Sequence, residues 1–101
     1  MLLYEVELVV DSDIADAFRA WLPGHVAELL ALPGFLSAEI LAVEEPAPVP
    51  NEAALCVRYR LADRTALDAY LRDHAARLRA DGQTRFGGRF RAFRRVLRPA
   101  D

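Results

Sequence analysis

The two histidines of this 101-residue chain stand in matching surroundings. His25 follows Trp21 by four positions in the run "AWLPGHVAELL", and His74 follows Tyr70 by four positions in "AYLRDHAARL". Four positions are one helical turn, so each imidazole lies on the same helix face as an aromatic ring. Imidazoles exchange protons near neutrality, and aromatic-lined space around such groups is the usual composition of a small-ligand pocket. Aromatics at helical spacing also build plain cores. Tyr4 and Tyr59, on strands, complete the candidate pocket of Trp21, His25, Tyr70, His74, Tyr4 and Tyr59. No catalytic residue follows from spacing, because no serine or cysteine nucleophile pairs with a base. No metal site is expected either: two histidines without a ligating cysteine or a carboxylate on either stripe leave a zinc sphere incomplete. The lone Cys56 has no internal disulfide partner. No cofactor is expected.

A second chemical cluster is "RFGGRFRAFRRVLRP", residues 85–99, with six of the thirteen arginines and three phenylalanines. Its "FGG" lacks the strand–turn–helix context of a phosphate loop, since a strand follows.

The elements that carry these residues follow from periodicity. Residues 2–10 alternate as a strand, with Leu2, Tyr4, Val6, Leu8 and Val10 on one face and Leu3, Glu5, Glu7 and Val9 on the other. "DSD" at 11–13 offers helix-capping side chains. An apolar stripe from Ile14 to Leu30 then keeps helical phase across Pro23–Gly24, which implies one kinked helix or two collinear pieces. Pro33–Gly34 ends it. A second strand covers 35–44, a proline-rich loop 44–52 and a third strand 53–61, on which Leu55, Val57, Tyr59 and Leu61 oppose Cys56, Arg58 and Arg60. A second helix is expected from about Asp63 or Thr65 to Ala80, its stripe being Leu67, Tyr70, Leu71, His74 and Leu78. Beyond Gly82 and a turn at Phe86–Gly88 comes the fourth strand.

One domain over 1–101 in the order βαββαβ is the ferredoxin-like α+β arrangement, an antiparallel sheet of order 4-1-3-2 with both helices on one face. That topology explains the charge distribution. Residues 1–52 hold one Arg against ten acids, and 53–101 hold twelve Arg against five, giving −2 in all. Strands 4, 1, 3 and 2 therefore alternate basic, acidic, basic, acidic, and the arginines read mainly as cross-strand partners. Nucleic-acid binding is not expected. The chain is slightly acidic, the arginine–glycine–aromatic run falls on the fourth strand, and the RNA-recognition motif carries its signature on the third. The short apolar opening, broken by Glu5 and Glu7, implies no membrane segment or signal peptide, hence a cytoplasmic protein.

Two blocks resemble a known family. "WLPGHVAELLALPGF" and "YLRDHAARLRADGQTRFGGRFRAFRRVL" are similar to motifs of the small bacterial domain-of-unknown-function family DUF4286, placing Trp21, His25, His74, Arg85, Phe86 and Gly87 at motif positions. Pro23–Gly24 departs from the pattern. The resemblance implies a fold but no activity. More distantly the layout is similar to the dimeric α+β barrel superfamily, whose members pack two sheets face to face and hold substrate between sheet and helices. It includes cofactor-independent and haem-degrading monooxygenases. The latter use an asparagine on strand 1, a tryptophan near helix 2 and a histidine on helix 2; here only His74 matches. The expectation is a homodimer joined through its open sheet face and binding a small apolar or aromatic molecule. The alternative is an enzyme of the monooxygenase type.

Overall fold

The strand and helix periods are realised in a computed structural model describing residues 1–101, in the order β1 (Leu2–Asp11), α1 (Ala15–Leu30), β2 (Phe35–Ala42), β3 (Glu52–Leu61), α2 (Arg64–Asp73), α3 (Ala75–Phe86) and β4 (Phe90–Leu97). The four strands form one antiparallel sheet in the order β2-β3-β1-β4, the expected 4-1-3-2 read from the other edge. The inward set of each period builds the core. Phe18, Leu22, Val26 and Leu29 of α1, Leu67 and Tyr70 of α2 and Leu78 of α3 pack on Tyr4, Leu8 and Val10 of β1 and on Leu55, Val57, Tyr59 and Leu61 of β3. One helical layer on one sheet makes a slab with Cα extents of 38 × 32 × 17 Å.

α1 is a single helix with Pro23 inside it. Pro23 and Gly24 are exposed, so the missing N–H and the pyrrolidine ring face water while the apolar stripe stays on the sheet. The "DSD" carboxylates do not cap α1. A 3₁₀ turn over Ser12–Ile14 intervenes without a side-chain cap, and Asp11 and Asp13 instead clamp Arg89, whose Nε lies 2.8 Å from Asp11 Oδ2. Asp63 does cap α2, accepting from the Ala66 amide at 3.0 Å.

The expected second helix to Ala80 is two helices, broken at His74 (φ −131°, ψ −26°) and prolonged to Phe86. The break has a packing cause: Ala75, not His74, takes the inward position and is 3 % exposed. Gly82 does not stop the helix either. It is buried within α3, where a Cβ would stand 3.2 Å from Phe90 Cζ and 3.3 Å from Trp21 Cη2. A side chain there would crowd both rings. α3 ends at Gly87, whose φ of 58° a glycine adopts without strain. β4 therefore begins at Phe90, later than the arginine run suggests.

The uncovered face shows the alternating charges in register. Glu39, Arg58, Glu5 and Arg95 form one row across all four strands. Glu5 is only 4 % exposed, held by Arg58 Nε at 2.7 Å and Arg95 Nε at 2.9 Å. Burial raises its pKa, but the hydrogen bonds and charges of the two arginines outweigh burial and leave it below the usual carboxylate value. The neighbouring row is Leu41, Cys56, Glu7 and Phe93, with Leu41 and Phe93 exposed. No helix is long and apolar enough to cross a membrane.

Candidate functional site

A cavity of about 270 Å³ lies between the helices and the inward face of the sheet. Tyr4, Val6, Tyr59, Phe90, Ala92 and Arg94 are on the strand side, Phe18, Trp21 and His25 on α1, and Tyr70, Arg79, Gly82 and Gln83 on α2 and α3. These strand residues obey the two-residue alternation of their strands, so this part of the wall follows from sheet register. Arg91, of the outward parity and paired with Glu52, also reaches the cavity edge.

His25 and Trp21, one turn apart on α1, stack with ring centroids 4.6 Å apart and planes inclined by 24°. Trp21 in turn touches Phe18 and Phe86, each at 5.5 Å. The imidazole is half-buried, and its Nδ1 is buried with no hydrogen-bond partner. Burial lowers its pKa below the ordinary 6.5, and Arg94 lowers it further, while Glu28 and Asp81 act the other way. His25 is thus a neutral imidazole at pH 7, with an unused nitrogen beside the cavity.

The opposite end is phenolic. Tyr4 stacks on Tyr59 at 5.9 Å and meets Tyr70 at 5.8 Å, while Arg79 Nη2 donates to the Tyr4 hydroxyl at 3.3 Å. Burial pushes the Tyr59 hydroxyl far above its ordinary range and, with Tyr4 beside it, pushes Tyr70 up to about 12. Both stay protonated as hydrogen-bond donors.

Five of the six residues expected around a pocket, Trp21, His25, Tyr70, Tyr4 and Tyr59, line this cavity; His74 does not. It sits half-buried at the α2–α3 junction, its Nδ1 3.2 Å from Arg77 Nη2, because the helix break gives its inward position to Ala75. The two imidazoles therefore do not share a site. No group of three His, Cys, Asp or Glu side chains is placed to hold a metal ion. A haem-degrading arrangement fits poorly: β1 carries no asparagine, and the histidine that matched that pattern lies outside the cavity.

The remaining motif positions support the site from behind. Phe86 packs on Phe18 at 5.1 Å and on Phe90 at 6.4 Å, wedging α3 against α1. Arg85 is exposed, its guanidinium 6.0 Å from the Phe86 ring, and Gly87 supplies the turn into β4. The sequence reading passed over Phe18, Arg79, Gln83 and Arg94. Arg94 had a usable signal: it shares the inward parity of Phe90, Ala92 and Val96 on β4. Alternation puts Arg91 and Arg95, opposite Val9 and Glu5, on the outward face, so Arg94 stands apart from the cross-strand charge row.

Solved structures share this architecture. A Deinococcus radiodurans protein assigned to the antibiotic biosynthesis monooxygenases superposes with a TM-score of 0.74 at 11 % identity, covering 100 % of this chain and 94 % of that one. SnoaB from Streptomyces nogalater, a cofactor-independent oxygenase, gives 0.68 at 12 % identity over 99 % and 94 %. HapK from Hahella chejuensis gives 0.66 at 17 % identity over 99 % and 93 %. At these identities the likeness establishes the fold. No curated protein matches the sequence. The profile described as domain of unknown function (DUF4286) matches residues 1–100, from the first strand through Trp21, His25 and the Arg85–Gly87 corner to the end of β4, and the chain belongs to that family.

Proposed function

We propose that this chain binds a flat, mainly apolar small molecule in the helix–sheet cavity and works as a homodimer joined through its open sheet face. The observation that carries the reading is the cavity itself: six aromatic rings line it, with one imidazole whose buried Nδ1 lacks a partner. A dry site of about 150 Å³ suffices for one benzene ring and drug-sized pockets begin near 300 Å³, so about 270 Å³ suits a two-ring ligand. Trp21, the single tryptophan, lines the cavity and is a built-in reporter. Titration with 2-naphthamide, a neutral two-ring probe, is expected to change Trp21 emission saturably in the micromolar range, and Ala92→Phe, which places a ring in the cavity, should abolish the change. An unsaturable response, or one unaltered by Ala92→Phe, contradicts the reading.

A cofactor-independent oxygenase is the second reading, favoured by the neutral His25 and by the fold shared with SnoaB. His25 would take a proton from an activated CH₂ of the ligand, and O₂ would oxidise the resulting anion. One oxygen atom enters as a carbonyl, and the other leaves as water with the two hydrogens. Ligand-dependent oxygen uptake lost in His25→Gln supports this reading; binding without uptake leaves a carrier or sensor.

For the dimer, Phe93, 54 % exposed, and Leu41 supply apolar area on the open face beside Leu3 and Val9. Glu5 is already committed to Arg58 and Arg95 of its own chain, so the charge row organises the monomer's face before any partner arrives.

A further inference from the structure

We propose that the cavity contains an oxyanion subsite formed by Tyr4, Tyr70, Arg79 and Arg94, and that its ligand is an aromatic carboxylate. The proposal rests on the cavity being a ligand site and narrows what that ligand is.

Charge pairing is the first observation. Seven of the thirteen arginines have a carboxylate within 4.0 Å: Arg19, Arg58, Arg64, Arg72, Arg89, Arg91 and Arg95. Arg79 and Arg94 are among those without one, and both line the cavity. The cavity wall contains no Asp or Glu, although the whole chain carries fifteen. In a protein of net charge −2, the charged side chains lining this cavity are all basic.

Position is the second. Arg94 lies directly across from Val6, on the inward parity of β4 where Ala92 and Val96 are its neighbours. Alternation alone would place an apolar residue there. Every other arginine of β4 faces outward and meets an acid of the chain. Arg94 is solvent-exposed, so water solvates its guanidinium in the free protein, and no carboxylate of the chain competes with an incoming anion for its donors.

Convergence is the third. Arg79 reaches in from α3 and donates to the Tyr4 hydroxyl at 3.3 Å. Tyr4 and Tyr70 are 5.8 Å apart between ring centroids, and the charges of both Arg79 and Arg94 act on the Tyr70 hydroxyl. Two cations from separate elements thus line the same cavity as the phenols of Tyr4 and Tyr70. Guanidinium forks match the two oxygens of a carboxylate, and phenol hydroxyls can add further bonds to the same group. Both arginines are exposed along much of their length, which puts the anion at the mouth and leaves the interior, at Trp21 and Phe18, for the ring.

The test compares 2-naphthoate with 2-naphthamide, nearly isosteric and differing in charge, by calorimetry and Trp21 emission at low salt. The naphthoate is expected to bind at least tenfold more tightly, and the preference should fall toward unity in Arg79→Gln, Arg94→Gln and their double variant. Tyr70→Phe should reduce it severalfold. Circular dichroism and melting curves of the variants check that the fold persists. Equal affinity for the two probes, or a preference untouched by both arginine substitutions, overturns the subsite while leaving the cavity reading intact. If neither probe binds, the cavity reading falls and the subsite with it.

Discussion

Burial of His25 on α1 has a consequence that can be measured without any ligand. Its pKa in the folded chain lies below the ordinary 6.5, chiefly through burial, with Arg94 of β4 adding to the effect and Glu28 of α1 and Asp81 of α3 opposing it. Between the folded value and 6.5 the unfolded chain binds more protons than the folded one, so stability rises with pH across that window and falls as pH drops below about 6.5. Thermal melts from about pH 7.5 to 5.5 should show a decreasing midpoint, and His25→Phe should remove that dependence. An unchanged pH slope in the variant contradicts the assignment. Glu5 behaves in a separate, lower window. Its carboxylate is held below 4.5, so the stability it contributes is present above 4.5 and is lost as pH falls through the folded value. Its partners Arg58 and Arg95 have side chains 42 % and 70 % exposed, so water screens each pair. Replacing either arginine by Gln should lower the melting midpoint only slightly, because the remaining arginine still holds Glu5 and water screens both pairs. Removing both should lower it clearly.

At the scale of elements, the apolar periods placed four strands and the first helix nearly where they lie, because each has one wet face and one dry face. α1 survived Pro23 since the proline falls on the wet face. The second helical region was harder to read. His74 and Ala75 are both compatible with a helix, and which of them turns inward depends on packing that local sequence does not encode. That choice carried His74 out of the pocket, while Trp21, His25, Tyr4, Tyr59 and Tyr70 were legible because their elements are regular. Gly82 misled for a related reason: glycine marks helix ends on local grounds, and here it makes room for Trp21 and Phe90. The turn after α1 offers a clean test of backbone demand. Gly34 has φ +83°, and a Cβ there would overlap that of Ala66 at the start of α2. Gly34→Ala should destabilise the protein by about 1–3 kcal/mol, combining backbone strain with the clash. A denaturation midpoint equal to wild type would show that the α1–β2 connection relaxes freely.

At the scale of the molecule, acids and arginines are divided between the two halves of the chain and rejoined by topology. β1 sits between β3 and β4, so Glu5 meets Arg58 and Arg95, and no strand of one sign lies beside another of the same sign. The helices cover one sheet face and leave Phe93 and Leu41 exposed on the other. Burying Phe93 in an isologous contact is worth roughly 1.5–3 kcal/mol per side chain, so Phe93→Asp should raise the dimer dissociation constant by more than tenfold. Sedimentation velocity at tens of micromolar should show wild type as a dimer and Phe93→Asp as a monomer; a monomeric wild type would refute the sheet-face dimer. The central claim is the ligand cavity between helices and sheet, and the most direct measurement is intermolecular NOEs from bound 2-naphthamide. They should fall on Trp21, Val6, Tyr59 and Ala92. NOEs confined to Phe93 and Leu41 on the open face, or none at saturating probe, would contradict it.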